Sequence, residues 1–497
     1  MVRRIVAVGL LATTAFVALA AWAWSSPPGS APDDDFHMAS IWCPDADKAP
    51  CHPLDPPRAT TEEGVALRLV PLTVYDAGCF RYHLKDTGAC ESQQELLDGG
   101  RLTLGRVNVN LYPGGFYRAL HVFASTQVSR SILAMRLTNA ALAILFVGAA
   151  LLVAGRHRRA VALAWMIGLG PLTTFLIVST NPSSWSLIGL GTLWVFLLAL
   201  FEAPQWWMRT IAGLGAVASY ALAAAARSDA PVLGAAIVVA CAVSYLPWRR
   251  GPWKTGVAVT LTFLVVAGVQ YLGSTASRVV AGGMNAHTAH HQAGGSGVGL
   301  LAADIFHLPS FLFELFDNLG WSDTVMPTIT VCIFALASVW LMVSGLRVGG
   351  RVRWGLILIL AAVVVMPLEV QYASRQLAYG AVQPRYVAPL VLVALGMAAV
   401  AAYESGWRPT LGRLRVIGAA LAIANGYALQ QNEARYALGN VRTALSLSGG
   451  SWSPAAHVPA DAVWIVGTLA GLCALMLAVA LIAPRSEQTP SAVPVQA

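Results

Sequence analysis

The chain has 497 residues, of which 57% are hydrophobic and only 11% are charged, and its mean hydropathy is +0.62. Soluble domains are about 45–50% apolar and about 25% charged, so these values exclude a soluble globular enzyme, a disordered chain and a coiled coil. The formal net charge of +8 lies largely in short arginine-containing connections, which is typical of membrane topology and not of nucleic-acid binding. The sequence therefore predicts a multi-pass membrane protein with no nucleic-acid partner.

Apolar runs long enough to cross about 30 Å of hydrocarbon recur along the chain. About twelve membrane helices are predicted, near residues 4–24, 131–154, 160–178, 185–201, 210–226, 231–247, 255–273, 326–346, 354–370, 387–403, 414–428 and 462–483. The arginine-containing connections fall on the same side as both termini, and the positive-inside rule makes that side cytoplasmic. We therefore expect an all-α polytopic protein of the plasma membrane with both termini in the cytoplasm.

The segments between these runs give the predicted domain organisation. Arg3 and Arg4 before an apolar run also suit a signal peptide, but the run to Trp24 is longer than usual, which favours a retained helix. Partial alternation in Val65–Val74 and Arg101–Asn110 predicts a small extracytoplasmic α/β subdomain. The predicted divisions are a first helix (1–24), the extracytoplasmic domain (25–130), helices two to seven (131–273), an outer loop (274–325), helices eight to twelve (326–483) with outer loops 371–386 and 429–461, and a disordered cytoplasmic tail (484–497).

Four of the seven cysteines fall in the first outer loop, at Cys43, Cys51, Cys79 and Cys90. An even number of cysteines on the oxidising side of a membrane predicts two disulfides. All three pairings are open from the residues alone, and short loop closure favours Cys43–Cys51 and Cys79–Cys90. A zinc site is the alternative, although no Cys-x-x-Cys spacing supports it.

An acidic triplet, Asp33, Asp34 and Asp35, follows the first span by about ten residues and is followed by Phe36 and His37. Three carboxylates in succession raise at least one pKa unless a cation compensates them. The triplet fits a helix N-terminus, a general base or a divalent-metal site equally well, and these interpretations stay open.

Cationic and polar side chains mark other predicted outer connections. Arg385 stands at the outer start of the tenth span, where an arginine is either an interface anchor or an anion ligand, and Arg375 adds a second cation on that side. Tyr386 suits an aromatic anchor. His287, His290 and His291 have a spacing compatible with a metal, but their Gly/Ala-rich loop favours solvated side chains.

Three motifs, in chain order, resemble those of a bacterial family of multi-pass membrane proteins of unknown function related to the GT-C glycosyltransferases. The family pattern Pro-Asp-Glu-x-x-His matches Pro32–His37 with Asp34 in the Glu position. The Asn-Pro-Ser turn matches Asn181-Pro182-Ser183. The late Gln-Gly-Arg-Tyr-x-x-Pro motif matches Gln383–Pro389, except that Pro384 replaces glycine.

This resemblance implies transfer of a hexose or pentose from a polyprenyl-phosphate donor to an extracytoplasmic cell-envelope glycan or lipid acceptor. The donor would be embedded among the membrane lipids, which are further partners of the protein. It implies that Asp34 or Asp33 serves as base or metal ligand and that Arg385, with Arg375, holds the donor phosphate. The supporting residues would be His37, Asn181, Gln383 and Tyr386. No cofactor follows from the sequence. A divalent metal ion stays an open alternative, with Asp33, Asp34 and Asp35 as its candidate ligands.

Two functions of other classes remain as alternatives. A transporter or flippase of envelope lipid or glycan precursors would need ionisable groups at mid-depth, and the predicted spans contain almost none. A non-catalytic membrane scaffold would use the disulfide-linked loop as a docking module.

Overall fold

The structure, a computed structural model, describes residues 2–45, 51–55, 58, 60, 64–90, 100–246, 253–275, 277, 297–347, 350–374, 382–407, 409–439, 446–454 and 458–482. Most of them are helical, which satisfies backbone hydrogen bonds without water and therefore suits a chain this apolar. The helices are α1 (Val2–Trp24), α2 (Asp34–Trp42), α3 (Leu72–Tyr75), α4 (Gly114–His121), α5 (Val128–Val153), α6 (Arg158–Gly168), α7 (Pro171–Ile177), α8 (Ser183–Glu202), α9 (Trp206–Ala224), α10 (Ala230–Tyr245), α11 (Trp253–Leu272), α12 (Gly297–Asp317), α13 (Thr328–Leu346), α14 (Arg351–Ser374), α15 (Ala388–Glu404), α16 (Leu411–Leu438) and α17 (Ala460–Ile482). The strands are β1 (Val65–Pro71), β2 (Leu102–Asn108), β3 (Asn318–Leu319) and β4 (Thr324–Val325), and three-residue 3-10 turns occupy Asp76–Gly78, Gly155–His157 and Pro384–Tyr386.

Eight of the described helices are long and apolar enough to cross a membrane: α1, α5, α8, α11, α12, α13, α14 and α17. All of these except α12 coincide with a predicted span. The predicted third span is instead a bent pair, since α6 and α7 meet at 95° where Gly170 and Pro171 interrupt the helix. The remaining predicted spans coincide with α9, α10, α15 and α16, of which α10 and α15 are apolar but shorter.

A small sheet subdomain precedes α5, as the alternating sequence predicts. Strands β1 and β2 pair antiparallel, with Val65 opposite Asn108 and Pro71 opposite Leu102. Its buried core includes Met38, Ile41, Val70, Val107, Phe116 and Tyr117. We call the end of the helix bundle that carries this subdomain the subdomain end, and the opposite end the far end.

The two predicted disulfides are confirmed, with the pairing that short loop closure favours: Cys43 to Cys51 and Cys79 to Cys90. The second loop packs on α16, where the ring of Phe80 lies 5.1 Å from that of Tyr436 in an edge-on arrangement. The buried Arg435 also donates hydrogen bonds to carbonyl oxygens of this loop, those of Phe80, His83 and Asp86. The loop is therefore fastened to α16 as well as closed covalently.

A long helix, α12, lies inside the segment 274–325 that the sequence predicts as an outer loop. Asp304, His307 and Pro309 interrupt its apolar sequence, which conceals it from a search for uncharged runs. Phe311 packs against Val370 near the last turn of α14, and Phe316 stacks on Phe334 of α13 with centroids 6.2 Å apart. The helix therefore packs against the subdomain end of its neighbours.

Helices α8 and α15 form the centre of the bundle. In the most apolar stretch of α8, 94% of the residues are buried inside the protein, compared with 6% in the corresponding stretch of α11. The two central helices touch where glycine allows close approach, with Gly191 against Leu392 and Trp194 against Gly396. Both helices begin at the subdomain end, directly after the Asn181 turn and the Arg385 turn, so the core of the bundle positions both motifs.

Candidate functional site

The acidic triplet lies at the start of α2, in the sheet subdomain beside the ends of the membrane helices. Asp33 precedes the helix with φ of 59°, a left-handed conformation that aspartate adopts more readily than most residues. Asp34 and Asp35 occupy the first turn of the helix, where its dipole favours negative charge. The three side chains reach different partners, so their roles differ.

Asp34 is completely buried, with 0% exposure. Its Oδ1 accepts a hydrogen bond from the Thr180 hydroxyl at 2.8 Å, and its Oδ2 accepts one from the backbone N–H of Ala31 at 3.0 Å. Burial raises the pKa of Asp34 to about 7, although the charge of Arg136 and both hydrogen bonds favour the ionised form. The side chain therefore joins the acidic motif to the turn before α8 and is not open to a substrate.

Asn181 makes the second connection between these two motifs. Its Nδ2 donates to the carbonyl oxygen of Pro32 at 2.8 Å, while its Oδ1 accepts from the backbone N–H of Ser183 at 2.9 Å. With 1% exposure it holds the two turns together from inside. The structure thus brings the first two predicted motifs into direct contact.

Asp35 turns toward the sheet subdomain. Its Oδ2 lies 3.4 Å from Nη1 of Arg81 and 3.5 Å from Nη2 of Arg106, which is on β2. Because the three carboxylates end on three different sets of partners, the arrangement does not favour a divalent-metal site made of Asp33, Asp34 and Asp35. Among the described residues, the three-ligand group that forms is at the far end of the bundle.

Asp33 is the one acid of the triplet that contacts the third predicted motif. Its side chain is 39% exposed and accepts a hydrogen bond from Nη2 of Arg385, which is 3% exposed. Burial by itself would raise the pKa of Asp33, but the charge of Arg385 and this hydrogen bond lower the pKa below its ordinary value. Nε and Nη1 of Arg385 are buried and have no hydrogen-bond partner within the described part of the chain.

A second buried arginine, Arg227, approaches the same site. Its guanidinium carbon lies 4.4 Å from the ring centroid of Tyr386, and that of Arg385 lies 5.3 Å from it, both within cation–π range. Arg227 donates to the Asp229 carboxylate at 2.8 and 2.5 Å and to the Ser183 hydroxyl at 3.2 Å. No sequence motif pointed to Arg227. The available signal was a charged pair in the short connection between α9 and α10.

The other predicted site residues have simpler surroundings. Gln383 is exposed, and its carbonyl oxygen accepts from the backbone N–H of Tyr386 at 3.0 Å, which closes the 3-10 turn. Arg375 lies outside the described residues, as do His287, His290 and His291. The described site therefore consists of the partly exposed Asp33 carboxylate, two buried guanidinium groups and an aromatic ring.

His37 is buried behind this site. Its Nδ1 lies 2.9 Å from the Tyr117 hydroxyl, and its ring lies 5.2 Å from that of Tyr112. Burial lowers the pKa of His37 to about 3 despite the nearby charge of Asp33, so the imidazole is neutral at physiological pH. Tyr112 and Tyr117 also line an open cleft of about 290 Å³, together with Ser40, Asn108 and Arg118. His37 thus positions a wall of this cleft.

These features define a multi-helix membrane protein whose disulfide-linked subdomain is joined to the bundle by a polar site. The chain belongs to the family described as Predicted membrane protein (DUF2142), whose sequence profile matches residues 16–394. This confirms the resemblance to a family of multi-pass membrane proteins, and the matched range includes the acidic triplet, Asn181, Arg227 and Arg385. No curated protein and no solved structure matches the chain.

Proposed function

We propose that the chain is a membrane glycosyltransferase of the GT-C type, which transfers a sugar from a polyprenyl-phosphate donor to an extracytoplasmic cell-envelope glycan or lipid. The observation that carries this proposal is the contact between Asp33, a partly exposed carboxylate, and Arg385, a buried guanidinium with two nitrogens lacking partners among the described residues. Glycosyl transfer from a lipid phosphate needs both groups, a base for the acceptor hydroxyl and a cation for the leaving phosphate.

Arg385 is the proposed phosphate ligand. A phosphate oxygen would supply hydrogen-bond acceptors for its Nε and Nη1, and Arg227 adds a second positive charge across the Tyr386 ring. At about 4 Å and an effective dielectric constant near 20, one guanidinium–phosphate pair contributes about 4 kcal/mol before desolvation. A contact that strengthens while charge develops on the leaving oxygen lowers the barrier to transfer.

Asp33 is the proposed base, in preference to Asp34, which is buried and bonded at both oxygens. When the donor phosphate occupies Arg385, the cation that lowers the pKa of Asp33 is partly neutralised, and the carboxylate becomes more basic. Asp33 then takes the proton of an acceptor hydroxyl. The acceptor oxygen bonds to the anomeric carbon while the bond from that carbon to the phosphate oxygen breaks, and polyprenyl phosphate departs with the electron pair.

The proposal includes a topology in which the twelve predicted spans cross the plasma membrane and α12 does not, with both termini in the cytoplasm and the subdomain end outside. The arginine-containing connections support this orientation. Nucleotide sugars are confined to the cytoplasm, so a donor used outside has to be carried by a lipid. Arg385 and Asp33 lie beside the ends of the helices of the bundle. A lipid headgroup at the membrane surface would be within reach of such a site.

The test uses the full chain reconstituted into phospholipid vesicles with polyprenyl-phosphate probes that carry a radiolabelled hexose or pentose, and an envelope lipid extract as acceptor. Asp33→Asn removes the base and should lower transfer by at least about 10²-fold. Arg385→Lys keeps the charge but loses the planar fork, so it should impair transfer less than Arg385→Ala.

Matched controls separate these effects from general damage. Asp55→Asn, in the sheet subdomain, and Arg130→Ala, in the first turn of α5, change the same residue types at exposed positions and should leave transfer unchanged. Full activity in both Asp33→Asn and Arg385→Ala contradicts the proposal. Movement of the intact lipid probe across the vesicle without sugar transfer would instead indicate a flippase, and neither reaction in any probe would favour a scaffold.

A further inference from the structure

A second group of ionisable side chains lies at the far end of the bundle and takes no part in the proposed reaction. His157 is in the 3-10 turn between α5 and α6, while Glu202 and Glu404 are the last residues of α8 and α15. The imidazole is 4% exposed, and the carboxylates are 26% and 36% exposed. One buried imidazole and two accessible carboxylates therefore converge from three separate chain segments.

The distances within this cluster suit three side chains that coordinate one metal ion. Nε2 of His157 lies 2.8 Å from Oε2 of Glu202 and 3.8 Å from Oε1 of Glu404, and one ligand atom from each residue falls within 4.8 Å of the others. Tetrahedral Zn²⁺ with bonds of about 2.0–2.1 Å places its ligand atoms about 3.3 Å apart. The two observed distances from the imidazole bracket that value, so small side-chain rotations would complete the site.

The Nε2 atom of His157 faces a hydrogen-bond donor and a carboxylate acceptor at once. Nε of Arg156, which can only donate, lies 2.9 Å from the same Nε2 that faces Glu202. If Nε2 carries a hydrogen, it donates to Glu202 and meets the Arg156 donor unfavourably. If it carries none, it accepts a hydrogen bond from Nε of Arg156, while a Glu202 carboxylate oxygen lies 2.8 Å from the same atom without a hydrogen between them. A metal ion between the nitrogen and the carboxylate removes this conflict.

The charges also leave room for a divalent cation. Within the described ranges, the obligatory cation that faces both carboxylates is Arg156, whose Nη2 lies 2.8 Å from Glu202 and 3.4 Å from Glu404. The Arg156 side chain is 70% exposed, so it can swing into solvent at little cost when a metal ion takes its place.

An independent observation comes from Tyr245, the last residue of α10. Its ring centroid lies 6.4 Å from that of His157, and the residue is 6% exposed. Its hydroxyl is buried without a hydrogen-bond partner among the described residues. Such a group is costly unless a polar atom meets it, and water bound to a metal ion in the cluster would supply an oxygen.

We propose that His157, Glu202 and Glu404 bind a divalent first-row transition metal ion such as Zn²⁺, with water as a further ligand. An imidazole nitrogen in the set selects Zn²⁺-type ions over Mg²⁺ and Ca²⁺, which prefer oxygen ligands only. The site is separate from the acidic triplet and does not depend on glycosyl transfer.

The test is calorimetric titration of ZnCl₂ into the detergent-solubilised full chain. The background carries glutamine at positions 287, 290 and 291, so that His287, His290 and His291 do not contribute. We expect one saturable Zn²⁺ per chain, with affinity reduced at least about 10-fold in His157→Gln and in Glu404→Gln. Co²⁺ bound in place of Zn²⁺ should give a visible d–d absorption that both variants lose.

The Arg156→Ala variant distinguishes a metal site from an ion-pair network. Removal of the competing cation should strengthen Zn²⁺ binding, whereas a cluster that is only an ion-pair network would be destabilised with no gain in metal affinity. His52→Gln and Glu369→Gln, at exposed positions away from the cluster, are the matched controls and should bind Zn²⁺ like the parent. Absence of saturable binding by the parent, or binding unaffected by both His157→Gln and Glu404→Gln, would overturn the proposal.

Discussion

Asp33 and Arg385 form a hydrogen-bonded ion pair across 352 positions of the chain. Asp33 belongs to the sheet subdomain, and Arg385 lies in the turn that leads into the central helix α15. The pair therefore connects the subdomain to the centre of the bundle, with only the carboxylate reachable from solvent. Its neighbour Asp34 makes a different connection, and the two acids can be separated experimentally.

Asp34→Asn should have a larger effect on the stability of the protein than on the rate of glycosyl transfer. An asparagine has one side-chain oxygen, so either the Thr180 hydroxyl or the Ala31 N–H loses its buried acceptor. We expect the free energy of unfolding to fall by about 1–3 kcal/mol, measured by thermal unfolding in detergent with Asp55→Asn as control. An unchanged melting temperature combined with lost transfer would assign the role of base to Asp34 instead.

The pH dependence of stability should change in opposite directions in two variants. The pKa of His37 is about 3 when folded and 6.5 ordinarily, so the unfolded chain binds more protons and this contribution to stability is lost as pH falls from about 6.5 toward 3. The pKa of Asp34 is about 7 when folded and 3.8 ordinarily, so its contribution is lost as pH rises from about 3.8 through 7.

When the pH is lowered from about 7 to about 5, the His37→Asn variant should therefore lose less stability than the parent. The Asp34→Asn variant should lose more stability than the parent over the same change. Melting temperatures across this range measure both effects. Parallel curves for the parent and both variants would show that neither side chain changes its protonation on folding.

Loss of the second disulfide should loosen the loop that packs on α16. Cys79 and Cys90 are 11 positions apart, and the loop-closure relation gives about 3 kcal/mol for a loop of this length. The Cys79→Ser, Cys90→Ser double variant should unfold at lower temperature, whereas Cys332→Ser, which changes a free cysteine, should not. Equal melting temperatures for the two would show that the Arg435 and Tyr436 contacts alone hold the loop.

Close packing between α8 and α9 predicts a steric effect at Gly189. A Cβ at this position would lie 2.4 Å from the backbone oxygen of Ser219, which cannot move without shifting α9. Gly189→Ala should destabilise the protein by about 1–3 kcal/mol. Gly148→Ala in α5 is the matched control, since a Cβ there meets nothing within 4 Å. Equal thermal stability of the two variants would contradict this packing.

The proposed orientation can be tested with single cysteines at exposed positions. In a chain without Cys241, Cys332 and Cys473, a membrane-impermeant maleimide added to intact cells should label Thr126→Cys near the subdomain. It should label Ser405→Cys, beyond α15, only after the membrane is opened. The reverse pattern would invert the topology and place Asp33 and Arg385 in the cytoplasm.

Much of the architecture follows from local sequence, whereas the pairing within the site does not. Apolar runs predict helices because nothing else satisfies the backbone in lipid, and a helix or bent pair stands at each predicted span. The two disulfides follow from short loop closure. The choice of Asp33 over Asp34 as the partner of Arg385 depends on a left-handed turn and on Thr180, far along the chain. The cluster of His157, Glu202 and Glu404 could not be predicted either, because it forms only where the ends of separate helices meet.

The burial of α8 and α15 has a consequence for how the protein is made. Helix α8 is synthesised well before α15, so the face that will receive Leu392 first meets lipid or other helices. Its sequence tolerates this, since it is apolar around nearly the whole helix, and its Thr192 hydroxyl is satisfied by its own carbonyls at Ile188 and Gly189. Helix α15, with 17 residues, is made later and packs against helices that were synthesised before it. Assembly of the site is accordingly a late event of biogenesis, completed only when Arg385 has been synthesised and pairs with Asp33, which follows the first helix.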